Sequence, residues 1–89
     1  MNNGLKLWSE SVKCIPGGNG LLSKRPGRYV PDLWPTYFSK AKGVHIWDLD
    51  GKKYTDMAQM GIGTSILGYS DENVDSAVKK AIDTGINTT

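Results

Sequence analysis

A chain of 89 residues holds at most one small domain, and a net charge of +2 with both signs spread along it excludes the clustered basic face that nucleic acid demands. Its single cysteine excludes an intramolecular disulfide and supplies no metal-ligand spacing, so a reducing cytoplasm is the expected setting. Membrane insertion is not expected: no apolar run approaches the roughly 20 residues that cross a bilayer, and Met1-Asn2-Asn3-Gly4 lacks the charged and apolar regions of a signal peptide.

Leu5, Trp8, Val12 and Ile15 recur at helical spacing with Lys6, Glu10 and Lys13 between them, which predicts a short amphipathic helix over 5–15. Cys14, beside Val12 and Ile15, is expected there as a buried, inert thiol. Pro16-Gly17-Gly18-Asn19-Gly20 ends the helix. From Leu21 to Tyr37 the chain has no period, and Pro26, Pro31 and Pro35 break any regular element. So long an irregular stretch is uncommon in a compact domain unless it is functional or disordered. Tyr29, Trp34, Tyr37 and Phe38 imply that it is pinned to something. Lys24, Arg25 and Arg28 form a local basic group whose simplest account is a solvated loop.

Branched and aromatic residues flank Asp48-Leu49-Asp50-Gly51 within residues 43–57, which predicts two antiparallel strands joined by a tight turn. A type I turn with Gly51 in a left-handed conformation and a two-residue Asp50-Gly51 type I′ turn both fit. The second would face Trp47 with Tyr54, and the first would shift that pairing by one residue. After the glycine-rich run 60–68, Ser70 or Asp71 caps a final helix. In it Asp71 and Glu72 lie near the positive end and Lys79 and Lys80 in the last turns, Val74, Ala77, Val78, Ala81 and Ile82 form a buried stripe, and Gly85 follows the stop. The chain runs out at Ile86-Asn87-Thr88-Thr89 without a stop signal and reads as part of something longer. Eleven glycines and four prolines raise the entropic cost of folding, so it is expected to need further surface to pack against.

Familiar chemical motifs fail on spacing. An EF-hand loop needs its glycine sixth, and Gly51 is fourth from Asp48. Gly61, Gly63 and Gly68 miss the dinucleotide fingerprint, and a phosphate loop would need lysine where Tyr69 stands. His45, the only histidine, has no visible partner and reads as a strand histidine rather than a catalytic base. The three glycines still mark close backbone approach.

Taken together, the segments SVKCIPGG, AKGVHIWDLDGKKYTDM and GIGTSILGYSDENVDSAVKKAID resemble the N-terminal portion of class III aminotransferases, which are pyridoxal-phosphate enzymes of fold type I. The likeness is greatest to glutamate-1-semialdehyde aminomutases and their aminotransferase relatives. Its most specific pieces are the W-D-x-D-G-x-x-Y-x-D hairpin, Trp47 to Asp56, and the I-L-G run, Ile66 to Gly68. The chain departs from the family pattern where a histidine and a proline usually stand near the final helix; here they are Tyr69 and Glu72 or Asn73.

The resemblance implies an α+β segment of helix, long loop, antiparallel hairpin or small sheet, and helix, with residues 1–89 forming the N-terminal part of the small domain. The large domain, with the phosphate loop, the aspartate that meets the pyridine nitrogen and the Schiff-base lysine, would lie outside it, so this stretch alone would not turn over substrate. It further implies a cytoplasmic homodimer, transferase or isomerase in activity, that moves an amino group between a small-molecule donor and a carbonyl acceptor. Gly61, Ile62 and Gly63 would wall the substrate channel, and Arg25, with Lys24 beside it, is the nearest counterpart of the family's carboxylate-binding arginine. Two accounts compete: a glycine-rich turn without a ligand at 61–63, and a free-standing, non-catalytic module that binds an anionic ligand or protein through Lys24, Arg25 and Arg28.

Overall fold

A computed structural model describes residues 2–30 and 32–86. Met1, Pro31 and the chain end 87–89 lie outside the described residues. The order is helix α1 (Asn3–Cys14), two 3₁₀ turns (Leu22–Lys24 and Pro26–Arg28), strands β1 (Phe38–Lys42), β2 (His45–Asp48) and β3 (Lys53–Thr55), and helix α2 (Glu72–Thr84).

The start of α1 is set by Asn2, whose side-chain oxygen accepts the Leu5 N–H at 2.8 Å. Its end is set by Ile15, which is extended, as the residue before a proline prefers. The chain then doubles back over the helix. A Cβ at Gly18 would lie 2.5 Å from the Trp8 ring and 2.9 Å from Val12 Cγ1, so only glycine fits there. The one buried residue of α1 is Ser11; its hydroxyl donates to Leu7 O and lies 2.8 Å from the Tyr37 hydroxyl. Cys14 is exposed, contrary to expectation.

The three strands form an antiparallel sheet in the order β1-β2-β3. Between β2 and β3 the type I arrangement wins. Gly51 has φ +83° and donates to Asp48 O, and Trp47 pairs with Lys53, while Tyr54 pairs with Ile46. Asp48 is the organising group of this turn: Oδ1 accepts the Asp50 and Lys52 N–H groups at 2.9 Å, and Oδ2 accepts the Tyr54 hydroxyl at 3.0 Å. The other end of the turn reaches α1, where Asp50 accepts from the backbone N–H of Asn3 at 3.0 Å and from its side-chain amide at 2.6 Å. A carboxylate thereby meets the positive helix end.

Pleating gives the sheet two faces. Ala41, Ile46 and Tyr54 share one; Lys40, Trp47 and Lys53 share the other. On the second face the Lys40 and Lys53 ammonium groups lie 4.3 and 5.6 Å from the Trp47 ring, a cation–π arrangement.

Helix α2 is capped by Asp71, which accepts the Val74 N–H at 3.0 Å, and is closed by Gly85 at φ +109°. Ser70 is not the cap; its hydroxyl donates to Ala41 O. Gly85 closes the helix where the sequence places its stop, and Lys79 and Lys80 lie in the turn before the last. One expectation fails. The stripe of Val74, Val78 and Ile82 forms but is exposed, with Val78 52% accessible, since no other described element lies over it.

No described apolar residue is fully buried. The chain exposes 7021 Å², against about 5,100 Å² for a compact monomer of 9.7 kDa. Its radius of gyration is 15.4 Å, where about 12 Å is usual for this length. Among the described residues no helix is long and apolar enough to cross a membrane.

Although burial works to raise the Asp48 pKa, the hydrogen bonds from Lys52 N–H, Tyr54 OH and Asp50 N–H outweigh it and hold the carboxyl below its ordinary 3.8. A depressed carboxyl stabilises above its unfolded pKa and ceases to do so as pH falls through the folded one. Acidification below about pH 4 is therefore expected to release the Asp50 and Lys52 amides to exchange. The Asp48→Asn variant, which keeps an acceptor but cannot titrate, is expected to lose that pH dependence; equal acid sensitivity in both chains would contradict the assignment.

Candidate functional site

The inner face of the sheet, the long loop and the glycine-rich segment enclose an open cleft of about 680 Å³. Ile46 and Tyr54 form its floor, Lys24, Tyr29 and Trp34 one side, and residues 57–62 the other. The long loop holds its shape through aromatic stacking: Tyr29 and Trp34 lie 4.0 Å apart at 7°, and the Tyr29 hydroxyl donates to Ser23 O at 2.8 Å.

Segment 57–68 is closed at its neck. Asp56 N–H donates to Val44 O at 2.8 Å, and Gly43 exchanges both backbone hydrogen bonds with Tyr69, at 2.8 and 2.9 Å. The close approach explains Gly68, where a Cβ would lie 3.1 Å from Gly43 O and where φ is +89°. The Tyr69 hydroxyl completes the neck by donating to Asp56 Oδ2, and Asp56 Oδ1 accepts the Ala58 N–H.

Beyond the neck, φ is positive at Met60 (44°), Gly61 (77°), Ile62 (56°) and Gly63 (82°). Glycine adopts that geometry freely; a β-branched residue does so only under strain. Ile62 is nevertheless 86% accessible, and Met57 is 90%. A Cβ at Gly63 would meet nothing within 4 Å, whereas one at Gly61 would collide with the Thr64 hydroxyl.

Of the residues singled out from sequence, Gly61 and Ile62 line the cleft, and Gly63 lines a shallower groove beside it with Ser65 and Ile66. The basic group is split. Lys24 lines the cleft, while Arg25 is turned towards the Pro16–Gly20 turn, its Nε donating to Asn19 O at 3.0 Å and its guanidinium lying against Gly17. His45 sits half-buried on β2 with its ring edge-on to Trp47. Sequence reasoning placed Tyr54 and Asp56 in the W-D-x-D-G-x-x-Y-x-D motif and Tyr69 at a departure from the family pattern, but gave none of the three a part in the site.

Tyr69 is pushed up to about 12, first by its hydrogen bond to Asp56 and then by burial. Burial, then the Asp48 hydrogen bond, also raises Tyr54. Both phenols are therefore neutral hydrogen-bond donors near neutral pH, not bases. No group of three or more His, Cys, Asp or Glu side chains that could hold a metal gathers among the described residues.

No family model and no solved structure matches the chain. Among curated proteins it is 34% identical over 74 residues to a 3-aminobutyryl-CoA aminotransferase of Cloacimonas acidaminovorans, across 83% of this chain and 17% of that protein. It is 34% identical over 80 residues to a glutamate-1-semialdehyde 2,1-aminomutase of Nitrosopumilus maritimus, and 37% over 82 residues to one from Thermodesulfovibrio yellowstonii. Each aminomutase match covers 90% of this chain and 18% of the relative. The chain is homologous to class III aminotransferases and aminomutases. It spans less than a fifth of the length of these relatives.

The homologues' type of chemistry raises the question whether the described residues suit pyridoxal phosphate, and they do not. All nine lysines are exposed, whereas an imine-forming lysine works in a water-shielded pocket. Both helix N-termini, the natural phosphate cradles, already carry carboxylates: Asp50 at α1, and Asp71, Glu72 and Asp75 at α2.

A tyrosine whose folded pKa is raised stabilises fully below its unfolded pKa of about 10 and loses that contribution as pH climbs through the folded value. Spectrophotometric titration of the four tyrosines is expected to show a late phase near pH 12 that Tyr69→Phe removes. If the wild-type and variant curves differ only by an ordinary phenol, the Tyr69–Asp56 bond does not hold in solution. Gly68→Ala is expected to open the neck, at a cost of about 2 kcal/mol or more, while Gly63→Ala costs about 1 kcal/mol from its φ alone. Amide exchange at Tyr69 and Gly43 measures the difference.

Proposed function

We propose that the chain is the N-terminal segment of a pyridoxal-phosphate-dependent class III aminotransferase or aminomutase of fold type I, moving an amino group between, or within, small carbonyl and amino compounds. Residues 1–89 would form part of the small domain and one wall of the active site, in a cytoplasmic homodimer. The cofactor-holding lysine and phosphate cradle belong to residues outside this segment.

One observation carries the reading. The cleft is walled by Gly61 and Ile62, in the stretch that the family resemblance assigns to the substrate channel, and a cation stands on its opposite side. Within this reading, Gly61 and Gly63 give the loop its left-handed course, Ile62 presents an apolar wall, and Tyr54 and Tyr69 remain protonated donors. The anion-holding role that the resemblance assigns to Arg25 would pass to Lys24, because Arg25 is turned away from the cleft towards the Pro16–Gly20 turn. Exclusion of water falls to whatever covers the open side.

The absence of a buried hydrophobic core among the described residues favours a segment over a free-standing anion-binding module. Thermal unfolding of the 89-residue chain by near-ultraviolet circular dichroism is expected to show no sharp transition, and α2 amides are expected to exchange fast. A cooperative, two-state melt with protected α2 amides overturns the proposal. So does a stop codon directly after Thr89 in the coding sequence.

A further inference from the structure

The cleft is larger and more aromatic than a short amino dicarboxylate requires. Its volume of about 680 Å³ falls in the range of sites for drug-sized ligands, and Trp34, Tyr29, Met57, Met60 and Ile62 give it broad apolar walls. The charges in it are unequal in availability. Asp56 has both oxygens engaged, by the Ala58 N–H and the Tyr69 hydroxyl. Lys24 makes no ion pair among the described residues, since the ion pairs there are Lys13–Glu10 and Lys42–Glu72. A ligand entering this cleft thus meets one free cation at its rim and a ring-lined, thioether-lined body beyond.

Resting on the function proposed above, we propose that the substrate is an amphiphilic carboxylate with an aromatic or long alkyl body, its carboxylate held by Lys24 and its body laid against Trp34 and the Met57–Ile62 wall. A flat ring suits the Trp34 face, and the polarizable methionine side chains adapt to its edge. A short dicarboxylate would leave those walls wet and its second charge without a partner.

The test titrates the intact enzyme of which this segment is proposed to form part with 4-phenylbutanoate and, separately, with glutarate, following tryptophan fluorescence and the backbone amide signals of Gly61 and Ile62. Phenylbutanoate is expected to bind saturably and about tenfold tighter than glutarate. Trp34→Phe is expected to abolish the fluorescence response while the amide shifts persist. Lys24→Met, which keeps the stem and removes the charge, is expected to weaken phenylbutanoate about tenfold. Glutarate binding as tightly, with the same Lys24 dependence, overturns the substrate class and leaves the proposed function standing. Phenylbutanoate binding unchanged by Lys24→Met overturns the anchor. No response to either compound removes the substrate-wall reading together with the class.

Discussion

Two backbone hydrogen bonds between Gly43 and Tyr69 join everything that follows the sheet to the sheet itself. The turn between β1 and β2 is thereby used twice. Gly43, at φ +58°, reverses the chain and also presents both its polar groups to Tyr69. Gly68 must be glycine because Gly43 approaches so closely, the Tyr69 phenol is delivered to Asp56, and Ser70 and Lys42 add bonds across the same seam. The cleft exists because this neck fixes both ends of segment 57–68.

What sequence conveyed depended on the range of the interaction. Caps, turn residues and helical period are local, so α1, α2 and the Asp48–Gly51 turn were legible, including the competing turn geometries between which the β2–β3 register decides. Strand β1 was not. Phe38-Ser39-Lys40-Ala41-Lys42 has polar residues on both faces and an irregular register at Ser39, whose hydroxyl bonds to Asp48 O rather than following the ladder. Its place comes from pairing with β2, a tertiary fact. The pairing of Tyr69 with Asp56 and the turning away of Arg25 are non-local too, and no spacing rule encodes them. Cys14 and the α2 stripe show the converse failure: amphipathic pattern announces a face that wants cover without saying that the same chain provides it.

That uncovered surface is large. The excess over a compact monomer is about 1,900 Å², more than the roughly 800 Å² that each partner of a standard protein interface contributes. It is also distributed, along α2 and over Met57, Ile66 and Leu67. Polar networks, by contrast, are closed within the chain: Asp48 satisfies its turn, Asp50 meets α1, and Asp56 meets Tyr69. Local architecture is thus held by hydrogen bonds and stacking, while the apolar faces that would stabilise a globule lie open. This combination suits a chain of which homologues are about five times as long.

The left-handed run Met60–Gly63 sharpens that point. Gly18 and Gly68 are glycines because neighbouring parts of this chain come too near for a side chain. Gly63 faces open space, so close approach within the chain does not account for it. Its neighbour Ile62 bears the cost of a positive φ while pointing a branched apolar side chain into solvent, a position where glycine or asparagine would be cheaper on every local count. Strain of about 1–3 kcal/mol persists where surroundings over-determine it. The described chain supplies only a few hydrogen bonds to this loop, from the Thr64 hydroxyl to Met60 and Gly61 and from Gly63 to Gln59. Within the proposed function, a surface or ligand met from outside would make isoleucine worth having at position 62.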